Sequence, residues 1–237
     1  MHLLVTRPIE DASALAVRLQ AAGHSVTVDP LLSIILKSDV PLDRTRVQAL
    51  LVTSANGLRA LGARADFSVW QTVPIYAVGP TTAGMARDLG FDQVVEAQGD
   101  VVSLAALAID ALDPDAGPVI HVSGTVTAGD LRGTLERAGL WVETAVLYEA
   151  KAADALAPET AAALAAGEID GVLLYSRRSA EIFVELCKKA TPSPDIEQTH
   201  AFCLSGNAAA PLQSLSLASI QVALRPNETE LLALIEP

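Results

Sequence analysis

Cysteine is nearly absent: the 237-residue chain has only Cys187 and Cys203, without Cys-x-x-Cys spacing or a neighbouring histidine pair. That pattern supplies neither a zinc ligand set nor a disulfide framework, and the expectation is two buried free thiols. Aromatic residues are scarce at 4%, while Ala, Leu and Val dominate, which suits helices packed on buried sheets rather than an all-β sandwich. Basic residues are also short, with 16 Lys and Arg against 28 Asp and Glu, a net charge of −12. Binding along nucleic acid needs a basic face that releases counterions, so no nucleic-acid partner is expected. No apolar run approaches the roughly 18 residues of a membrane span. The opening MHLLVTRP reads as a strand rather than a basic segment leading into an apolar one. The expectation is a cytoplasmic protein with no membrane association.

Several motifs of site chemistry are missing too. The histidines His2, His24, His121 and His200 stand singly near strand starts, with no His-x-x-x-His or His-Glu-x-x-His, so no metal is expected. There is no Gly-x-Ser-x-Gly elbow to hold a nucleophile and no Gly-x-Gly-x-x-Gly after the first strand, where Arg7-Pro8 stands instead. The stretch VGPTTAG (78–84) has the glycine spacing of a phosphate loop, but Gly84 is followed by Met85 and Ala86. Without the lysine and hydroxyl that neutralise phosphate and bind magnesium, it is not one.

What is present is abundant apolar surface, 51% hydrophobic residues with a mean hydropathy of +0.37, arranged as strand–turn–helix units. LLVT (3–6) leads into DASALAVRLQAAG, where Ala12, Leu15, Ala16 and Leu19 fall on one helical face and Gly23 is placed to end the helix. The same plan returns in VIHVSGTVTAGDLRGTLERAGLWVETAVLY (119–148). ALLVTSANGLRAL (49–61) is echoed by GVLLYSRRSAEIF (171–183), and PIYAVGPTTAG by HAFCLSGNAAA. Three ordered pairs describe a duplication with a period far longer than a solenoid's. The fold class is therefore α/β, two similar parallel-sheet domains of Rossmann or flavodoxin type. Pattern alone leaves two partitions open: a single cut near residue 117, or one domain inserted into the other through extended segments such as VTVDPLLSIILKSD (26–39) and WVETAVLYEAK (141–151).

The candidate site residues lie where strands end. In a parallel sheet the carboxyl ends of strands line the ligand crevice, and each following helix offers unpaired backbone N–H groups. Here those turns hold Arg7, Ser54-Ala55-Asn56, Gly79-Pro80-Thr81-Thr82, Ser123-Gly124, Ser176 and Ser205. For any one of these hydroxyl residues, helix capping is the simpler account; taken together, turns from two domains can face a common cleft. Tyr148, in AVLYEA, ends a strand in the second copy. A tyrosine there is ordinarily a packed residue with a wet hydroxyl, but in a cleft its phenol can donate a proton to a leaving group.

The ordered set VTRP, Gly23-His24, TSANG, YAVGPTTAGMARDLGF, the Leu-Tyr of AVLYEA and LLYSRRSA resembles the uroporphyrinogen-III synthase family from end to end. The resemblance implies the inserted arrangement: residues 1–33 with 151–237 as one domain, 38–147 as the other, and crossing strands at 30–37 and 146–151. It also implies a cofactor-free cyclising lyase that takes linear hydroxymethylbilane, removes its terminal hydroxyl as water, and closes the ring with inversion of ring D. On that resemblance Tyr148 matches the proton donor, Ser54, Thr82 and Ser176 match hydroxyls lining the cleft, and Arg7 matches the arginine after the first strand. Further expectations are a monomer and a transient handover of substrate from hydroxymethylbilane synthase. The chain departs from the family at Ser205-Gly206-Asn207-Ala208, where Ala208 stands at the usual threonine position. That departure is the best support for an alternative, a binding protein of the same fold without catalysis; a sugar-phosphate enzyme using the same turns is a weaker one. The substrate carries eight carboxylates, so a chain of net −12 must favour it locally, through helix N-termini and cations such as Arg7, Arg177 and Arg178.

Overall fold

The computed structural model describes residues 1–127 and 129–235. The chain forms two compact units, Met1–Ser33 with Lys151–Pro237 (unit 1) and Ile34–Ala150 (unit 2). Among the described residues no helix is long and apolar enough to cross a membrane.

Unit 1 begins with β1 (His2–Val5), α1 (Ile9–Ala21) and β2 (Ser25–Val28). Helix α1 buries Ala12, Leu15, Ala16 and Leu19, the face that the 3.6-residue period selects. It stops at Gly23, whose φ of +87° is a left-handed conformation that costs glycine little. The chain passes through β3 (Leu32–Leu36) into unit 2, which holds β4 (Ala49–Val52), α2 (Ala55–Gly62), β5 (Ile75–Ala77), α3 (Pro80–Asp88), β6 (Val94–Glu96), α4 (Val101–Ala111), β7 (Val119–Gly124) and α5 (Leu131–Arg137). It returns along β8 (Val142–Ala152), and unit 1 is completed by α6 (Pro158–Ala165), β9 (Gly171–Leu174), α7 (Arg177–Lys189), β10 (His200–Cys203), α8 (Gly206–Ala209), β11 (Ser219–Val222) and α9 (Glu228–Leu232).

The sheet of unit 1 runs β11-β10-β9-β1-β2, and that of unit 2 runs β3-β8-β7-β4-β5-β6. All pairings among β11, β10, β9, β1 and β2, and among β8, β7, β4, β5 and β6, are parallel. Superposing the orders puts β9 with β4, β10 with β5, β11 with β6, β1 with β7 and β2 with β8. These are the pairs that the internal sequence echoes select, so the two units share one topology with the chain order permuted. Unit 2 makes its sheet in the order 3-2-1-4-5, counted from β4. The order reverses between β4 and β7 in unit 2 and between β9 and β1 in unit 1, and at such a reversal a crevice opens beyond the strand ends.

Strands buried on both faces explain the continuous apolar runs. In β4, Leu50 and Val52 join one core with Leu58 and Leu61 of α2, while Ala49 and Leu51 join another with Leu104 and Ala108 of α4. In unit 1, Leu3 and Val5 meet Leu15 and Leu19 of α1, with Phe202 of β10 and Leu231 of α9 in the same core. Both thiols are buried, as expected, and burial pushes each up to about 12.

One polar side chain interrupts this interior. His121 of β7 is buried with no partner for Nε2 among the described residues, and desolvation drives its pKa down from 6.5 to about 4. The native state then holds the neutral imidazole while the unfolded chain takes up a proton below pH 6.5. Stability from this group is therefore complete above pH 6.5 and lost as pH falls toward 4. Unfolding in urea should show about 2 kcal/mol less stability at pH 5 than at pH 7.5 from His121 alone. His121→Leu should lose correspondingly less over the same interval, and equal losses in the two proteins would place the protonating group elsewhere.

Candidate functional site

At the strand-order reversal of unit 2, β4 is followed by Thr53-Ser54. Ser54 has extended backbone and caps α2, its Oγ accepting from the Gly57 amide at 3.2 Å. Gly57 tolerates no side chain readily, since a methyl there would lie 3.2 Å from Val52 Cγ1 and 3.3 Å from Val122 Cγ1. Helix α2 therefore starts tight against β4 and β7. The neighbouring Ala55 and Asn56 form its first turn, with Asn56 Oδ1 accepting from Arg59 Nη1 at 2.6 Å.

The second component comes from β8. Register between β7 and β8 runs residue for residue from Val119 opposite Val142 to Ser123 opposite Val146, then shifts so that Gly124 faces Tyr148. Leu147 is the extra residue of a bulge, and a bulge re-aims the side chains beyond it. Strict alternation from Ala145 and Leu147 would send Tyr148 to the other face of the sheet. The bulge instead places Ala145, Leu147 and Tyr148 in one core, the one that α2 covers. The phenol hydroxyl of Tyr148 lies 2.8 Å from Ser54 Oγ, either atom serving as donor. Tyr148 is 9% exposed, and its carbonyl accepts from the Thr125 amide at 3.1 Å, which holds the bulge closed.

Gly124 makes room for the ring. A methyl at Gly124 would lie 2.7 Å from both Cε2 and Cζ of Tyr148. Its neighbour Ser123 is 1% exposed and its Oγ has no partner among the described residues.

The turn at VGPTTAG is built differently. Gly79 stands at the N-cap of α3 with Pro80 in the first turn and no side-chain cap, so the first amides of the helix keep their donors. A methyl on Gly79 would lie 3.0 Å from Gly99 Cα, and the Gly99 amide donates to Val78 O at 2.7 Å, so the turns after β5 and β6 touch backbone to backbone. Thr81 is exposed and Thr82 buried.

In unit 1, Ser176 and Ser205 cap α7 and α8, accepting from the amides of Ser179 at 3.1 Å and Ala208 at 3.3 Å. The amide donor at Ala208 is thus taken up by its own cap. Arg7 follows β1 at the reversal point and is heavily engaged. It donates to Glu228 at 2.8 Å and Asp11 at 3.1 Å, and its guanidinium lies 4.2 Å from the ring centre of Tyr175. Glu228 also takes Arg18 and the Tyr175 hydroxyl. Burial, and then the adjacent Glu228 carboxylate, hold the Tyr175 phenol well above its ordinary range. Two carboxylates thus offset the charge of Arg7, and Arg177 is paired with Glu181, so these two of the cations expected to draw an anion are matched within the protein. Gly57, Tyr175 and Glu228 are site neighbours that the sequence reading did not single out. Tyr175 sits in the quoted LLYSRRSA and carried a signal; Glu228 carried none beyond opening a capped helix.

Within unit 2 the structure brings together Ser54, Gly124 and Tyr148, and within unit 1 it ties Arg7 to Tyr175 and Glu228. The model of the family described as uroporphyrinogen-III synthase HemD matches residues 13–233. Among solved structures, the uroporphyrinogen-III synthetase of Helicobacter pylori 26695 is similar at 19% identity, with 99% of this chain and 98% of that one covered and a TM-score of 0.70. A mutant uroporphyrinogen III synthase of Thermus thermophilus is similar at 18% identity, covering 99% and 97% with a TM-score of 0.56.

Replacing Gly124 with alanine tests the arrangement of the pair. The added methyl should displace the Tyr148 ring, lower the urea midpoint by the equivalent of about 1–3 kcal/mol, and lengthen the Ser54–Tyr148 separation beyond hydrogen-bond reach in a crystal structure of the variant. An unmoved ring would show that the strand yields instead.

Proposed function

This chain belongs to the uroporphyrinogen-III synthase family, and we propose that its cyclisation of hydroxymethylbilane is assisted by Tyr148 as the acid that protonates the departing hydroxyl. The observation that carries the assignment is the phenol's placement by the β8 bulge at the strand-order reversal of unit 2, hydrogen-bonded to a helix cap. That is the position at which open α/β sheets hold ligands.

The chemistry asks little of strong acids or bases. The C–O bond of the terminal hydroxymethyl group breaks with push from the pyrrole nitrogen, the phenol proton goes to the leaving oxygen, and water departs. The resulting azafulvene is attacked by the substituted carbon of ring D; the spiro intermediate fragments and recombines with ring D inverted. The proton released on closure returns to the phenolate, so one water is lost and no proton is consumed. Unaided closure of the same bilane gives the type I isomer, so the protein's main contribution is to hold shape and to stabilise charge as it develops.

The other strand-end residues, Arg7, Ala55, Asn56, Gly79, Pro80, Thr81, Thr82, Ser123, Gly124, Ser176 and Ser205, supply backbone and side-chain contacts to the bilane in this reading. The uncapped first turn of α3 supports it, because free amides at a helix start attract carboxylate. The chain works as a cytoplasmic monomer and takes the bilane in a transient handover from hydroxymethylbilane synthase, since free bilane closes on its own.

Freshly made hydroxymethylbilane, incubated with the protein, oxidised and separated by chromatography, should give the type III isomer; type I alone would overturn the reading. Tyr148→Phe should lower kcat by about 100-fold or more with the thermal unfolding profile retained. An unchanged rate would remove Tyr148 from the chemistry.

A further inference from the structure

We infer that Ser54 is a positioning residue for the reaction: it turns its hydroxyl hydrogen toward Tyr148 as the phenol gives up its proton, and so holds the phenolate between a hydroxyl donor and the start of α2. The inference rests on the reading of Tyr148 as the proton donor and adds a second residue to it.

The donor and acceptor capacities at this point decide which hydrogen is free to leave. Tyr148 and Ser54 each own one hydrogen and can each accept, and 2.8 Å separates their oxygens. Ser54 Oγ already accepts from the Gly57 amide. If Tyr148 donates to Ser54, its proton is committed to the protein and cannot reach a substrate. If Ser54 donates to Tyr148, the phenol hydrogen is released for the leaving hydroxyl, and the phenolate that follows keeps a donor. The Gly57 amide fixes Ser54 Oγ in both arrangements, so switching needs only rotation of two hydroxyl hydrogens. As the N-cap of an eight-residue helix, Ser54 also stands where the helix dipole is positive, which favours negative charge on the oxygen beside it.

Three independent features of the chain hold this geometry. The bulge at Leu147 brings the ring to the α2 face, Gly124 leaves space for it, and the close fit of Gly57 against Val52 and Val122 sets where α2 begins. Capping alone requires neither of the first two. Ser176 and Ser205 cap their helices with the same geometry, and among the described residues the Ser176 hydroxyl meets Ser179 rather than a phenol.

The test separates the cap from the donor. Glycine is accepted at an N-cap at little cost while carrying no hydroxyl, and aspartate caps well but cannot donate at neutral pH. Ser54→Gly and Ser54→Asp should both lower kcat roughly 10-fold or more, the size expected for losing a hydrogen bond to a charged group, with KM little changed. Ser54→Thr, which keeps the hydroxyl, should stay within about threefold of the parent. In a Tyr148→Phe background, Ser54→Gly should cost nothing further. A full kcat in Ser54→Gly would overturn the inference. So would a 10-fold loss that persists in the Phe background, which would mean that Ser54 acts on the substrate directly while leaving Tyr148 as the acid. If Tyr148→Phe alone keeps the parent rate, the reading of Tyr148 fails first and Ser54 falls with it.

Discussion

Every helix that follows a buried parallel strand begins with amides that have no partner within the helix, and this chain is organised around meeting that need. Ser54, Asp100, Asp130, Ser176, Ser205 and Asn227 each turn a side-chain oxygen back onto an amide of their own helix. Most of these caps only close a turn. Ser54 differs because a second strand delivers a phenol to the same oxygen, so a group that starts a helix also holds the side chain proposed as the proton donor. The start of α3, which has glycine and proline in place of a side-chain cap, is the complementary case: its first turn has no side-chain acceptor of its own.

The duplication gave the protein two copies of this strand-end layout, and the copies have diverged at corresponding places. Where β7 of unit 2 ends in Ser123-Gly124 with a hydroxyl that has no partner among the described residues, β1 of unit 1 leads into Arg7, whose charge is spread over Glu228, Asp11 and the face of Tyr175. One reversal point holds a buried hydroxyl, and the other a guanidinium paired with two carboxylates. A partly exposed pair of this kind adds little stability. Its effect is to fix the C-terminal helix over the end of the first strand.

The fold class was legible in the sequence because its determinants are local. The buried face of α1 follows from period alone, the parallel strands from unbroken apolar runs, and the turn positions from Gly, Pro, Ser and Thr between them. The correspondence between strands of the two units was legible as well, since the echoes within the chain pair strands at matching sheet positions, but the sheet orders themselves were not. Contacts that depend on register were not. Period-two alternation through Ala145 and Leu147 turns Tyr148 away from α2, and only the single extra residue at the bulge reverses this. Ser54 and Tyr148 are 94 residues apart in the chain, and Arg7 and Glu228 are 221 apart. Neither pair leaves a spacing signal, so the hydroxyl partner of Tyr148 became visible only in the three-dimensional arrangement.

The division of unit 1 into two chain segments has a temporal side. Unit 2 is one uninterrupted stretch, Ile34–Ala150, and on a ribosome it emerges whole while β9, β10 and β11 are still unmade. Until then β1 and β2 form a two-stranded fragment of four-residue strands with one amphipathic helix, too small to be stable alone. The residues of β1 are thus made early and paired late: β1 must wait for β9, about 168 residues later by the bond from the His2 amide to Asp170. Loop closure over such a distance is slow to nucleate. The segment that carries Arg7 spends that interval with its apolar face uncovered, the stage of biogenesis at which chaperone capture and proteolysis compete with folding.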